Sequence, residues 1–268
     1  TFDDAQRQAI RIACRIAGLD VLALVNEPNA AALAFGSDQR APGTYCVYDF
    51  GGGTLDVTVL EYSSGQLVVR GTAGDSMLGG DDFDMEMAFA VAEKFRIETG
   101  RNLWRDVAEW QRLLFACETA KRRLSQEPRT EIRLRAVART PSGVRDLVYL
   151  LDRKRFLQIC GDRVDQTLTC CSKALSRAGL GPEDIDSVLL VGGSTFVRLV
   201  RTRVAEFFGR RPDVSVDPAE AVAVGAAVYG SILTGGRRIE LTPPAILEMA
   251  TGTLAVEHNG EVVVIFRR

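Results

Sequence analysis

The sequence predicts a mixed α/β fold in which helices are interleaved with short sheets. Three observations carry that expectation. Two helix-like segments precede three closely spaced strand-like runs, long segments of helical periodicity follow, and a short apolar strand turns through two glycines toward another helix. The chain has 268 residues, 46% hydrophobic and 25% charged, which suits a sizeable core and argues against wholesale disorder. The formal net charge of -2, without a long basic run, makes nucleic acid a poor partner. No stretch approaches the roughly eighteen consecutive apolar residues that span a bilayer, so no membrane partner is expected.

The elements follow in order. Ile10, Ala13, Cys14 and Ala17 recur at helical spacing and predict a helix over 3–18, with Asp4 near its start and Gly18 as its stop. A strand is expected over 21–25. Asn26, Glu27 and Pro28 lead into an alanine-rich helix over 29–35 closed by Gly36. Pro28 suits the first turn, where its missing N–H costs little. A polar connector with Pro42 separates this part from strands over 45–49, 54–62 and 66–72. Leu55, Val57 and Val59 alternate with Asp56 and Thr58, predicting an antiparallel meander with one covered face.

Helices are expected next over 82–99 and 107–124, the second with Val107, Trp110, Leu114, Cys117 and Leu124 along its apolar line. A hairpin over 130–150 turns at 140–143, and a long helix over 152–178 stops at Gly179. Ser187 to Val191 reads as a short buried strand. Gly192 and Gly193 then turn into a helix over 195–208 lined by Phe196, Val200, Val204 and Phe208, and a last helix covers 220–233. Beyond 236, Pro243-Pro244, the turn Asn259-Gly260 and the β-rich run 262–266 read as a linker and strands of another domain. The chain opens on Thr1 in mid-pattern, so it is expected to be an internal piece of something longer.

Six cysteines lack CxxC spacing and one histidine, His258, stands alone, which disfavours a zinc site. Most of the cysteines fall on apolar faces, as buried thiols of a reducing compartment would. The vicinal Cys170-Cys171 either packs or is redox-active. Carboxylates, glycines and hydroxyls must therefore carry the chemistry.

Four segments are candidates. Asp49-Phe50-Gly51-Gly52-Gly53-Thr54-Leu55-Asp56 sits between two strands. Its glycines bare the backbone N–H groups to an anion. Two carboxylates beside a phosphate cradle call for a cation, and Mg²⁺, with its preference for oxygen ligands and phosphates, fits. The same segment reads equally as a plain hairpin turn. Val191-Gly192-Gly193-Ser194-Thr195 is either a strand-to-helix phosphate or sugar site or tight packing. Glu118, Lys121, Arg122 and Ser125 share one helix face for two turns, facing a ribose and base or only solvent. The glycines of Leu78-Gly79-Gly80-Asp81-Asp82-Phe83-Asp84 admit a ligand or form a hinge.

Taken in order, Asp4 to Gln8, Glu27-Pro28 with Ala30 to Ala32, these four segments and 217–230 closely resemble the 70-kDa heat-shock (DnaK-type) chaperones, from about residue 1 to 235. The resemblance implies a ribonuclease-H-like, actin-like ATPase fold, with an incomplete first lobe, a complete second lobe and a short β tail. In that scheme 1–40 is a remnant of the first lobe's inner subdomain. Residues 41–80 and 161–235 form the second lobe's inner subdomain, and 81–160 its outer one. Residues 236–241 are the interdomain linker, and 242–268 begin a substrate-binding β domain.

It also implies ATP or ADP with Mg²⁺ as ligands. Gly51, Gly52, Gly53 and Thr54 would hold phosphate. Asp49 and Glu27 would hold the metal through water, and Asp56 would position the attacking water. Glu27 would also serve the relay toward the partner domain. Glu118, Lys121, Arg122 and Ser125 would grip the ribose and base. Gly192, Gly193 and Ser194 would support the adenosine, with Gly79 and Gly80 approaching closely. Implied partners are unfolded peptides, a J-domain co-chaperone and a nucleotide-exchange factor, in the cytoplasm.

Three departures qualify this. The family's first phosphate turn and catalytic lysine have no counterpart in these residues. Losing one charge-stabilising donor typically costs about 10²–10³ in rate, so the 268 residues alone are expected to turn over almost no ATP. Phe196 stands where the family usually has an arginine against the base. The linker, Arg237-Arg238-Ile239-Glu240-Leu241, is thinned of its leucines by charge. Competing readings are a non-catalytic nucleotide-sensing or scaffold module of the same fold, and another actin-like ATPase or sugar kinase, which would lack the Glu118 to Ser125 line.

Overall fold

The computed structural model describes residues 4–36, 42–140, 143–235, 245–247, 254–258 and 261–266. Helix α1 (Asp4–Ile16) keeps no buried side chain. The expected strand over 21–25 does not form. An apolar run becomes a strand only by pairing, and no described segment hydrogen-bonds along this one. Helix α2 (Glu27–Phe35) begins two residues earlier than expected, so Pro28 lies in its first turn, and Gly36 caps it.

Strands β1 (Gly43–Phe50), β2 (Leu55–Ser63) and β3 (Gln66–Asp75) form the expected antiparallel meander. Both faces of it are covered, not one. Tyr48, Phe50, Leu55 and Val57 pack on one side with α3 (Gly80–Thr99) and the later helices. Val47, Leu60 and Leu67 pack on the other with Ala31 and Ala32. Thr58, expected to face out, is buried and shares a 3.3 Å hydrogen bond with Thr72 on β3. The polar residue is tolerated inside because its hydroxyl finds a partner.

Helix α4 (Val107–Gln126) starts at the Asp106 cap, whose side chain accepts from the N–H groups of Ala108 and Glu109. Its buried line is Leu113, Cys117, Ala120 and Leu124, whereas Val107 is 85% exposed in the capping turn. Strands β4 (Arg129–Thr140) and β5 (Gly143–Asp152) make the hairpin. Its expected turn residues Pro141 and Ser142 lie outside the described residues, as do 37–41 of the expected connector and the linker at 236–241. Helix α5 (Arg153–Ala178) runs between the Asp152 cap and left-handed Gly179.

Strand β6 (Ser187–Val191) returns to pair in parallel with β1. The chain does not then enter a helix at Thr195. A 3-10 turn covers Gly193–Phe196, Val197 is extended, and α6 (Arg198–Phe208) follows. Thr195 closes that turn by donating both its N–H and its hydroxyl to Gly192 O, at 3.1 and 2.6 Å. Helix α7 (Ala221–Leu233) then lies on α2. In the tail, β7 (Ala245–Leu247) pairs in parallel with β3, giving a sheet of order β6-β1-β2-β3-β7. β8 (Leu254–His258) and β9 (Glu261–Phe266) form a separate hairpin.

Five cysteines are buried and Cys14 is partly so, all as free thiols. Burial pushes both Cys170 and Cys171 up from the usual thiol range, the opposite of what a reactive thiolate needs. The vicinal pair is packing.

The α2–α7 contact is backbone to backbone: a Cβ on Gly225 would lie 1.7 Å from Ala30 O. Gly225→Ala should thus lose about 1–3 kcal/mol through overpacking, although the substitution gains about 1 kcal/mol in a free helix. Urea unfolding checks this, and a raised midpoint would contradict the contact.

Candidate functional site

The turn between β1 and β2 is the centre of the site. Gly51 N–H donates to Thr54 O at 3.0 Å and closes it, leaving Gly52, Gly53 and Thr54 exposed. The turn's carbonyls face its neighbours. Gly51 O accepts from Gly80 N–H at 3.0 Å and from the Ser194 hydroxyl at 2.7 Å, and Gly52 O accepts from Asp81 N–H at 2.8 Å. The start of α3 and the 3-10 turn thus clamp the glycine loop.

That clamp explains three glycines. A Cβ on Gly79 would lie 2.1 Å from Gly52 O, one on Gly80 2.5 Å from the Ser194 hydroxyl, and one on Gly192 2.4 Å from Phe50 O. Gly192 also has φ +86°, which only glycine adopts freely. The close approach at Gly79 is thus to the loop's own backbone, whereas Gly80, which also lines the cleft, meets the Ser194 hydroxyl. At Gly53, by contrast, nothing lies within 4 Å of the Cβ position.

Asp49 near the end of β1 and Asp56 near the start of β2 are cross-strand partners, and Glu27 reaches Asp49 from α2. Burial, then the charges of Glu27 and Asp56 and a hydrogen bond with Glu27, push Asp49 up to about 7. Burial and Glu27 also raise Asp56. The sequence-predicted carboxylates are thus brought together, on a half-buried patch that disfavours their shared negative charge.

A cleft of about 1410 Å³ holds the other group: Gly52, Gly80, Glu118, Lys121, Arg122, Ser125, Gly193, Ser194 and Phe196 all line it. Asp49, Asp56, Glu27 and Thr54 do not, so Gly52 is where the loop meets the cleft. On α4, Glu118 and Arg122 pair at 2.6 Å on the surface, and the Ser125 hydroxyl bonds back to Lys121 O at 3.4 Å.

Lys121 departs from the simple polar line, because its ammonium is committed inward. It donates to Asp84 Oδ2 and to Gly80 O, both at 2.6 Å, with the pair's side chains only 10% and 8% exposed. Burial lifts Asp84 to about 6 even against Lys121. Sequence reasoning quoted Asp84 without giving it a role. Its signal was position: Asp84 lies one turn after Gly80 and so shares its face of α3.

Sequence reasoning also missed the arginines of α6. Arg198 and Arg201 line the cleft, the Arg201 guanidinium lies 5.2 Å from the Phe196 ring centre, and its Nε donates to Thr195 O at 2.7 Å.

The family model described as Hsp70 protein matches residues 1–266. No described helix is long and apolar enough to cross a membrane.

Asp49 gives a pH prediction. With its folded value raised to about 7 above an unfolded value of about 3.9, the folded chain binds the extra proton between these values. Stability from this group is full at low pH and falls as pH rises through that window. Without divalent cations, Asp49→Asn should therefore be the more stable protein at pH 8, by roughly 2–4 kcal/mol, and the gap should close near pH 4. Urea melts across pH measure it, and a gap that does not change with pH would contradict the assignment.

Proposed function

The chain belongs to the 70-kDa heat-shock protein family, and from that premise we propose that it binds Mg-ATP and Mg-ADP across the Gly51–Thr54 loop and the cleft beside it. The fold read in this way is the actin-like ATPase fold. Residues 1–40 belong to a first lobe, 41–80 and 161–235 to the inner subdomain of a second, and 81–160 to its outer subdomain. Residues 236–241 act as the linker and 242–268 open a peptide-binding domain. Unfolded peptides, a J-domain co-chaperone and an exchange factor are the partners of such a protein, in the cytoplasm and under stress.

One observation carries this reading. An exposed glycine loop, locked from behind by three hydrogen bonds, adjoins three carboxylates that crowd one another. The loop offers phosphate oxygens a fixed backbone. The carboxylates are hard oxygen donors in a setting that rewards a cation, which fits Mg²⁺. Among the described residues no three such side chains come close enough to hold an ion directly, so Asp49 and Glu27 would hold it through water. Bound Mg²⁺ would supply the positive charge that offsets both the carboxylates and the phosphates.

The chain's own residues do the rest. Gly51 to Thr54 seat the phosphates, and Asp56, whose carboxyl is raised by burial, positions the attacking water. Glu118, Arg122 and Ser125 bind the ribose and base. Lys121, tied to Asp84 and Gly80, holds the α3–α4 wall against the loop. The rate supplied by these 268 residues alone is small, because charge developing on the transferred phosphoryl needs more donors than one loop provides. A non-catalytic nucleotide-sensing module of the same fold is the second reading, favoured by the commitment of Lys121 and by Phe196 at the base.

Isothermal titration of the chain should give an ADP dissociation constant below about 100 μM with Mg²⁺, weakened about tenfold without it or in Asp49→Ala. Binding weaker than about 1 mM would contradict the site. ATP turnover should stay near background, and turnover abolished by Asp56→Ala would contradict the small rate.

A further inference from the structure

We propose that Asp84 is a positioning residue that acts on bound phosphate through Lys121. As a carboxylate it holds the Lys121 ammonium away from the cleft; on taking up a proton it releases the ammonium into the cleft, beside the glycine loop. The inference rests on the nucleotide reading above and adds to it a dependence of affinity on pH.

The pair stands one residue away from the loop. Lys121 Nζ donates to Asp84 Oδ2 and to Gly80 O, both at 2.6 Å. Gly80 N–H donates in turn to Gly51 O at 3.0 Å. Lys121 also lines the cleft, whereas Asp84 does not, so only one of the two partners has a way to water. A lysine carries its charge on a flexible four-carbon stem, and rotation about that stem takes the ammonium into the cleft. The short Asp84 side chain stays behind on α3.

The arrangement is finely balanced. The two side chains are 10% and 8% exposed, and Asp84 Oδ1 is buried with no hydrogen-bond partner. The carboxylate is thus only half satisfied, in a place where charge is costly. Burial lifts Asp84 to about 6; Lys121 opposes the rise, and Glu118 on α4 and Asp81 on α3 add to it. The other titratable groups facing the pair are the thiols of Cys117 on α4 and Cys160 on α5. Burial pushes both up, so they stay neutral where Asp84 titrates.

The direction of the effect follows. At higher pH the two charges offset each other and the ammonium stays on Gly80 O. At lower pH Asp84 takes a proton from water, and an ammonium left buried without its counter-charge is strongly unfavourable. The cleft is its exit, and a phosphate there replaces the charge that Asp84 has given up. A ligand bearing phosphate gains from this release, whereas an uncharged nucleoside does not.

Calorimetric titration of the chain with Mg²⁺ and ADP, and separately with adenosine, tests this. At pH 8, Asp84→Asn, which carries no charge, should bind ADP about tenfold more tightly than the wild type and adenosine nearly equally. The gap should close below about pH 5, and it should vanish when Lys121→Met is added to both proteins. Asp49 titrates in both proteins, so the difference between them reads Asp84 alone. If Asp84→Asn binds ADP no more tightly than the wild type at pH 8, or the gap does not change with pH, the proposal is wrong and the nucleotide reading stands. If the wild type binds ADP at neither pH, the nucleotide reading fails and this inference with it. Should Asp84→Asn not fold, the ligand-free wild type decides. With lysine labelled at ¹³Cε, one of the chain's four lysine signals must shift with a midpoint at about pH 6, and four signals that hold still between pH 5 and pH 8 would overturn the proposal.

Discussion

Two carbonyl oxygens, those of Gly51 and Gly52, accept three hydrogen bonds from elements that are far apart in sequence: Gly80 and Asp81 at the start of α3, and Ser194 in the turn after β6. Backbone groups withdrawn from water must find partners, and here the partners are the walls of the cleft. The loop faces outward with its glycines because its carbonyls are engaged inward. The Asp84–Lys121 pair extends the clamp to α4, since Lys121 also donates to Gly80 O. Breaking a buried pair by removing one partner typically costs about 3–5 kcal/mol, so this corner of the molecule is firmly held.

Behind the loop the fold accumulates charge of one sign. Asp49, Asp56 and Glu27 crowd together, whereas cations dominate the far wall through Arg198 and Arg201. A packed protein keeps such unfavourable groupings where a ligand relieves them. On the proposed reading, a nucleotide with its metal would offset both groupings, the metal among the carboxylates and the nucleotide in the cleft. Asp49, Asp56 and Glu27 do not line the cleft, and the loop meets it at Gly52.

Much of this was legible in the sequence. The meander, the long helices and the stops at Gly36 and Gly179 follow from local periodicity and capping, which a sequence states directly. The glycine loop and its flanking aspartates were legible for the same reason. Pairing and covering were not. The run over 21–25 has strand composition without a partner, and Thr58 is buried because a second helical layer covers its face. Lys121 and Arg201 show the same limit at the site. Their helix face was readable in the first case, but their commitments, to Asp84 and to Phe196, depend on an element 37 residues away or on a 3-10 turn that delays the start of α6 by three residues, to Arg198.

The central claim is that the exposed Gly52–Thr54 backbone receives phosphate. The most direct measurement is amide NMR of the ¹⁵N-glycine- and threonine-labelled chain, titrated with Mg-ADP and separately with adenosine. The account predicts that Gly52, Gly53 and Thr54 amides shift with Mg-ADP and hardly move with adenosine, while Gly193 responds to both. Equal shifts of the loop amides with adenosine, or none with Mg-ADP, would contradict it.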